Sequence, residues 1–137
     1  MSTTQTAPAP SQTQTVANRL VELCNSGKHE QAMRDLYADN CRHVEAMECP
    51  GSPYGRIIEG KANLLKMAEH WSKTTTVHDF SCGKPLVNGD QFVVEMKLDS
   101  TSTEGPFANQ RMKVSEQALY TVTNGKITEA KFFYGMC

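Results

Sequence analysis

The 137-residue sequence has no C-x-x-C pair, no G-x-G-x-x-G, no Walker A motif, no H-E-x-x-H and no G-x-S-x-G. The short signatures of nucleotide, metalloprotease and hydrolase sites are therefore missing, and any chemistry must come from side chains gathered in a pocket. No apolar run approaches the roughly 18 residues that a membrane-spanning helix needs, so no membrane partner is expected. Fourteen basic and fifteen acidic residues leave a net charge of −1 with no basic field to hold a phosphate backbone, which argues against nucleic acid as a partner. Residues 1–14, "MSTTQTAPAPSQTQ", carry no charged side chain; they lack the basic start and apolar middle of a signal peptide and read as a disordered tail.

Five cysteines are present, Cys24, Cys41, Cys49, Cys82 and Cys137, an odd number that fits thiols in a reducing compartment better than a disulfide frame, and a cytoplasmic setting follows. With 39% hydrophobic and 21% charged residues the composition is globular. Residues 15–137 suit a single domain, and a chain of this length buries roughly 68% of its unfolded surface.

Helical spacing begins at Thr15, with Ala17, Leu20, Val21 and Cys24 at i, i+3, i+4 and i+7 and Asn25-Ser26-Gly27 as the stop. A second short helix over about 28–37 is closed by "ADN", and the two should form a hairpin. "CRHVEAME", 41–48, reads as a strand with Cys41, His43, Glu45 and Met47 on one face. A Pro/Gly loop follows at 49–55. A third helix, roughly 61–73, aligns Leu64, Met67, Ala68 and Trp71, which points the only tryptophan at the core. Strands are expected at about 75–87, 91–102, 110–123 and 126–135, with Asn-Gly turn signals in "VNGDQ" and "TNGK". Helices first and strands afterwards predict an α+β domain with the helices on one face of the sheet.

Two carboxylates stand out. Glu116 shares a strand face with Val114, Ala118, Tyr120 and Val122, and a carboxyl buried there would lose hydration and shift towards neutral pH, as a general acid or base requires. It could equally reach water at a rim or pair with Lys131. Glu45 is the second, with His43 two residues earlier on the same face, where the imidazole could orient or protonate what the carboxylate attacks. His29, His70 and His78 show no metal-ligand spacing, and no metal or other cofactor is expected.

The turn "VTNGKI" decides which way Glu116 points. A two-residue turn at Asn124-Gly125 sets Val122 opposite Ile127 and puts Glu116 with Glu129, Lys131 and Phe133 on a solvated face. A three-residue loop with a glycine bulge sets Val122 opposite Lys126 and puts Glu116 with Ala130, Phe132 and Tyr134 on a pocket wall.

The order helix, helix, "LYADN", strand, Pro/Gly loop, "EGKANLLKMAEHW", then strands ending "VTNGKITEAKFFYG" resembles the SnoaL-like and ketosteroid-isomerase-like members of the NTF2-like superfamily over about residues 15–136. The resemblance implies a cone: a strongly curved antiparallel or mixed sheet wraps around three N-terminal helices, leaves a deep apolar cavity, and forms a homodimer through the sheet. It places Glu45 where the isomerase branch carries its base, and Tyr134 of "FFYG" on the cavity wall, which supports an inward Glu116. The second acid of that branch falls on Glu116 or Ala118. The chain departs at Leu20 and Ala68, where the isomerase has tyrosines, and at Phe132, where cyclases and epoxide hydrolases of this kind carry an aspartate.

Two readings follow. In the first, the cavity binds a small apolar or amphipathic molecule and performs cofactor-free isomerase, cyclase or lyase chemistry with Glu45 as base, Glu116 as protonated donor and His43 assisting. Tyr54, Trp71, Phe92, Met96, Phe132 and Tyr134 would shape that pocket. In the second, the domain is a non-catalytic ligand-binding or dimeric interaction module.

Overall fold

The computed structural model describes residues 11–50 and 52–135. The first helix, α1 (Gln12–Asn25), starts three residues earlier than its spacing predicts, because Ser11 caps it: the Ser11 hydroxyl accepts from the Gln14 amide at 3.1 Å. Thr13 is buried, so residues 11–14 belong to the domain and not to a tail, while the rest of the expected tail, 1–10, lies outside the described residues. Leu20, Leu23 and Cys24 bury the inner face of α1. At its end the Asn25 side chain both donates to and accepts from the Cys82 backbone, at 3.1 and 2.8 Å, clamping the helix to the sheet.

The short α2 (His29–Leu36) ends one residue before Tyr37, which opens β1 (Tyr37–Val44). "YADN" is thus strand and not a helix stop, and β1 begins four residues before its expected start at 41. Parallel pairing of Tyr37 with Ile127 outweighs the local turn signal of "ADN". Past the loop, β2 (Ile57–Glu59), which has no sequence signal of its own, pairs antiparallel with β1. Helix α3 (Lys61–Thr74) buries Leu64 and Ala68, but Trp71 is 42% exposed, which corrects the expectation that it faces the core. The expected strand 75–87 is broken by Gly83 and Pro85 into β3 (Thr75–Cys82) and β4 (Leu86–Asn88). β5 (Gln91–Ser102), β6 (Arg111–Thr123) and β7 (Lys126–Phe133) follow.

The seven strands make one mixed sheet in the order β2-β1-β7-β6-β5-β3, with β4 on β5 and the β1–β7 pair parallel. Alternation sets the faces: Phe92, Val94 and Met96 are buried against the helices, and Glu95 and Lys97 point out. Register shifts interrupt β1 between Tyr37 and Arg42, β3 between Val77 and Asp79, and β7 opposite the Thr121–Val122 step. Such bulges bend and twist a sheet, and here they curl it around the helices to form the cone. No helix among the described residues is long and apolar enough to cross a membrane.

The reading of all five cysteines as thiols does not hold. Cys24, Cys41 and Cys82 are free and buried, whereas Cys49 is disulfide-bonded.

Candidate functional site

The β6–β7 hairpin takes neither of the two simple forms. Asn124 and Gly125 have φ of 51° and 77°, a two-residue turn of the mirror-image kind, and Val122 opposes Ile127. One step later the ladder shifts, so that Thr121 faces Glu129 and Thr128 is the extra residue. From there Tyr120 faces Ala130 and Ala118 faces Phe132. The turn matches the first alternative and the facing matches the second, so Glu116 stands on the same side as Ala130, Phe132 and Tyr134.

That side looks into a cavity of two lobes that share part of their lining. The larger, about 1090 Å³, is bounded by Glu116, Glu45, Met96, Phe132 and Tyr120, with Leu20 and Met33 from the helices. The smaller, about 340 Å³, opens between Tyr54, Trp71, His70 and the loop after β5. Glu45, Trp71 and Tyr134 border both lobes.

Glu45 lies one residue beyond β1, where Arg56 fixes its backbone: the Glu45 amide donates to the Arg56 carbonyl at 2.8 Å, and Arg56 Nε donates to the Glu45 carbonyl at 3.0 Å. Each carboxylate oxygen then receives one donor. His43 Nε2 lies 2.6 Å from Oε1, and the Tyr134 hydroxyl donates to Oε2 at 2.8 Å. His43 is 4% exposed, with its ring centre 4.6 Å from that of Phe132, and its Nδ1 has no partner among the described residues. Burial works against a charged Glu45, but the hydrogen bonds and field of His43, with the bond from Tyr134, outweigh it and hold its carboxyl below the usual range.

Glu116 has the opposite surroundings. Among the described residues it finds no hydrogen-bond or ion-pair partner, and Lys131, its possible partner by sequence, sits against Glu129 at 3.7 Å. Desolvation, reinforced by the charge of Glu45, raises it to about 7. Tyr134 is pushed up by burial and by the same Glu45 charge.

The other expected pocket residues divide. Met96, Phe132, Trp71 and Tyr134 border the larger lobe, and Tyr54 borders the smaller, its ring edge-on to His70. Phe92 does not line the cavity; it lies in the core, stacked on Tyr120 with ring centres 4.8 Å apart. His43 supports Glu45 from behind and borders neither lobe. Sequence reasoning did not single out Tyr37, Tyr120 and Thr75 as cavity residues. Tyr120 had a visible signal, since it shares the alternate series of Glu116. Among the described residues no cluster of three or more His, Cys, Asp or Glu side chains could hold a metal ion.

Comparison with known proteins places this arrangement. A family model described as a SnoaL-like domain matches residues 11–134. A solved structure from Mesorhizobium loti, described provisionally as a SnoaL-like polyketide cyclase with the bracketed label carbohydrate phosphatase, is 34% identical; the match covers 88% of this chain and 97% of that one, with a TM-score of 0.79. A hypothetical protein from Catenulispora acidiphila with a ketosteroid isomerase-like fold, solved with trimethylamine, is 14% identical over 88% of this chain and 85% of that one at a TM-score of 0.66, a likeness of fold alone. Among curated proteins, diacylglycerol kinase eta of Drosophila ananassae is 26% identical over 99 residues; the match covers 72% of this chain and spans 5% of the kinase.

Proposed function

From the premise that the chain belongs to the SnoaL-like family, we propose that it binds a small, largely apolar carbonyl compound in the cone and moves a proton on it. The observation that supports this reading is the divergence of two carboxyl groups bordering one cavity, Glu45 held below its usual range and Glu116 raised to about 7. Groups whose surroundings push their acidities apart are suited to opposite roles in proton transfer.

Glu45, ionised, takes a proton from the carbon next to the carbonyl; Glu116, protonated, gives a hydrogen bond and then its proton to the oxygen as the enolate forms. Return of the proton to a different carbon is an isomerisation, and attack of the enolate carbon on an electrophile within the same molecule is a cyclisation. His43 and Tyr134 are positioning residues that fix both oxygens of the base. Each oxygen keeps a further lone pair for the incoming proton.

A second reading is favoured by that same double bonding of Glu45: a carboxylate already satisfied on both oxygens also suits a wall of a non-catalytic binding cavity. Exchange of the α-protons of 2-tetralone in D2O, followed by proton NMR, separates the two. The catalytic reading expects acceleration over buffer, a loss of about 100-fold or more in Glu45→Gln, and a decline as pH rises through about 7, where Glu116 loses its proton. Quenching of Trp71 fluorescence by the ketone with no acceleration of exchange would leave only the binding module.

A further inference from the structure

Two thiols stand together where the end of α1 meets the end of β3. Asn25, the residue after Cys24, donates from Nδ2 to the Cys82 carbonyl at 3.1 Å and accepts the Cys82 amide on Oδ1 at 2.8 Å. The next amide, that of Gly83, donates to the Glu95 carbonyl at 2.9 Å, so both sides of the junction are fixed. Cys24 and Cys82 are free, 4% and 8% exposed, and belong to one core cluster. Neither takes part in the proton transfer proposed above. Each is the leading influence on the other: the Cys82 thiol, ahead of burial, pushes Cys24 well up, and Cys24 brings Cys82 below the ordinary thiol value against burial and the charge of Glu116. Mutual effects of opposite sign place the two sulfurs side by side. Cys41, the third free thiol among the described residues, is raised chiefly by burial.

An unequal pair of thiols divides the work of oxidation. Cys82, the more acidic, supplies the thiolate that attacks a peroxide oxygen: an S–O bond forms, the O–O bond breaks, and the departing hydroxide or alkoxide takes up the proton that Cys82 gave, leaving as water or alcohol. The Cys24 sulfur then attacks the sulfenic sulfur. The S–S bond forms, the S–O bond breaks, and the leaving hydroxide takes the Cys24 proton to become water. Two thiols and one hydrogen peroxide thus give one disulfide and two waters; the sulfurs lose two electrons and the peroxide gains them. Hydrogen peroxide is scarcely larger than water. It needs only the residual opening at Cys82, the last residue of the edge strand β3, or the larger lobe that Cys24 borders.

We propose that Cys24 and Cys82 are a redox-active dithiol that a hydroperoxide closes into a disulfide between the end of α1 and the end of β3. The double hydrogen bond of Asn25 holds the two backbones together in either state. The link closes the loop from 24 to 82, which contains β1, Glu45 and α3, so oxidation staples the segment that carries much of the site. Constraining the unfolded chain across so long a loop stabilises the fold. The dithiol needs no ligand in the cavity, so it stands or falls apart from the proposed function.

In the test the whole chain is treated with hydrogen peroxide, quenched, alkylated under denaturing conditions and mapped by peptide mass spectrometry. Cys24 and Cys82 should appear in one cross-linked pair of peptides, two hydrogens lighter than the thiols, while Cys41 is alkylated. Cys82 should react at least about tenfold faster than Cys41. The oxidised chain should unfold at a urea midpoint about 1 M or more above that of the untreated chain. In Cys24→Ser the reaction should stop at a Cys82 sulfenic acid that dimedone traps, and in Cys82→Ser Cys24 should stay a thiol. Both thiols surviving millimolar peroxide, either one joined to another cysteine, Cys82 over-oxidised beside an intact Cys24, or a midpoint unchanged or lowered by the link would each overturn the dithiol. The cross-link is read in the parent chain, so a serine variant that fails to fold leaves the test standing.

Discussion

Glu116 faces a cavity and has no ion-pair partner among the described residues, so its ionisation is linked to folding. Its carboxyl rises from 4.5 to about 7 on folding. Between those values the folded chain binds more protons than the unfolded one, so this group makes stability fall as pH rises, with the full loss present above about 7. At about 1.4 kcal/mol per unit the loss is bounded by about 3.5 kcal/mol. Glu45 acts in the opposite sense, because its lowered carboxyl contributes stability that is lost only as pH falls through its folded value. Glu116→Gln removes the ionisable group and keeps the shape. The variant should be more stable than the parent by about 1–3 kcal/mol in urea at pH 8 and nearly indistinguishable from it at pH 4, below both the unfolded and the folded value. A second consequence is electrostatic: in Glu45→Gln the Glu116 carboxyl, followed by carbon NMR, should titrate below about 7, because the neighbouring charge that raises it is gone. An unchanged titration would mean that burial alone sets it.

Among the elements, the β6–β7 hairpin controls the site. Asn124-Gly125 fixes a tight turn, and in a regular ladder that turn would carry Phe132 and Tyr134 to the outer face. Thr128, the additional residue, reverses the facing beyond it, because a shift of one residue exchanges the two sides of a strand. The Tyr134 bond to Glu45 exists because of that bulge. Deleting Thr128 should therefore turn Ala130 and Phe132 out of the interior and cost about 3 kcal/mol or more in urea denaturation, with Glu45 titrating higher for want of its donor. Thr128→Ala, which keeps the residue count, should stay within about 1 kcal/mol, since only the hydroxyl contacts to Thr123 and to the Thr121 carbonyl are lost.

For the whole molecule, the outer face of the sheet carries an apolar strip. Leu86 pairs with Val93, and Val93 with Leu119, so the three lie side by side across β4, β5 and β6. Phe133, 52% exposed, sits one step along β7, opposite Gln117. We propose that a second copy of the chain covers this strip, the sheet-mediated homodimer that the family resemblance implies. Light scattering at micromolar concentration should give the mass of two chains, and Leu119→Asp with Phe133→Asp should give the mass of one while the circular dichroism spectrum stays unchanged. The unmodified protein scattering as a monomer would remove the dimer.

The sequence by itself determined what each segment prefers to be and which of its sides is apolar. Strand β5, helix α3 and the Asn-Gly turn follow from local alternation, helical spacing and turn chemistry, and the order of elements carries the family resemblance. The apolar series that contains Glu116 and the shared face of His43 and Glu45 were legible for the same reason, whereas the direction in which Glu116 points was not. Which strands pair, and in what register, was not local. Tyr37 became strand by pairing with Ile127, and Tyr134 reached Glu45 across 89 positions of chain through a one-residue bulge. Phe92 settled behind Tyr120 and Trp71 turned to the cavity mouth. Periodicity reports only an apolar side, whereas the curvature of the sheet decides where on that side the core ends and the cavity begins. The opposed acidities of the two carboxyls arise there, from desolvation and from donors brought in by other strands.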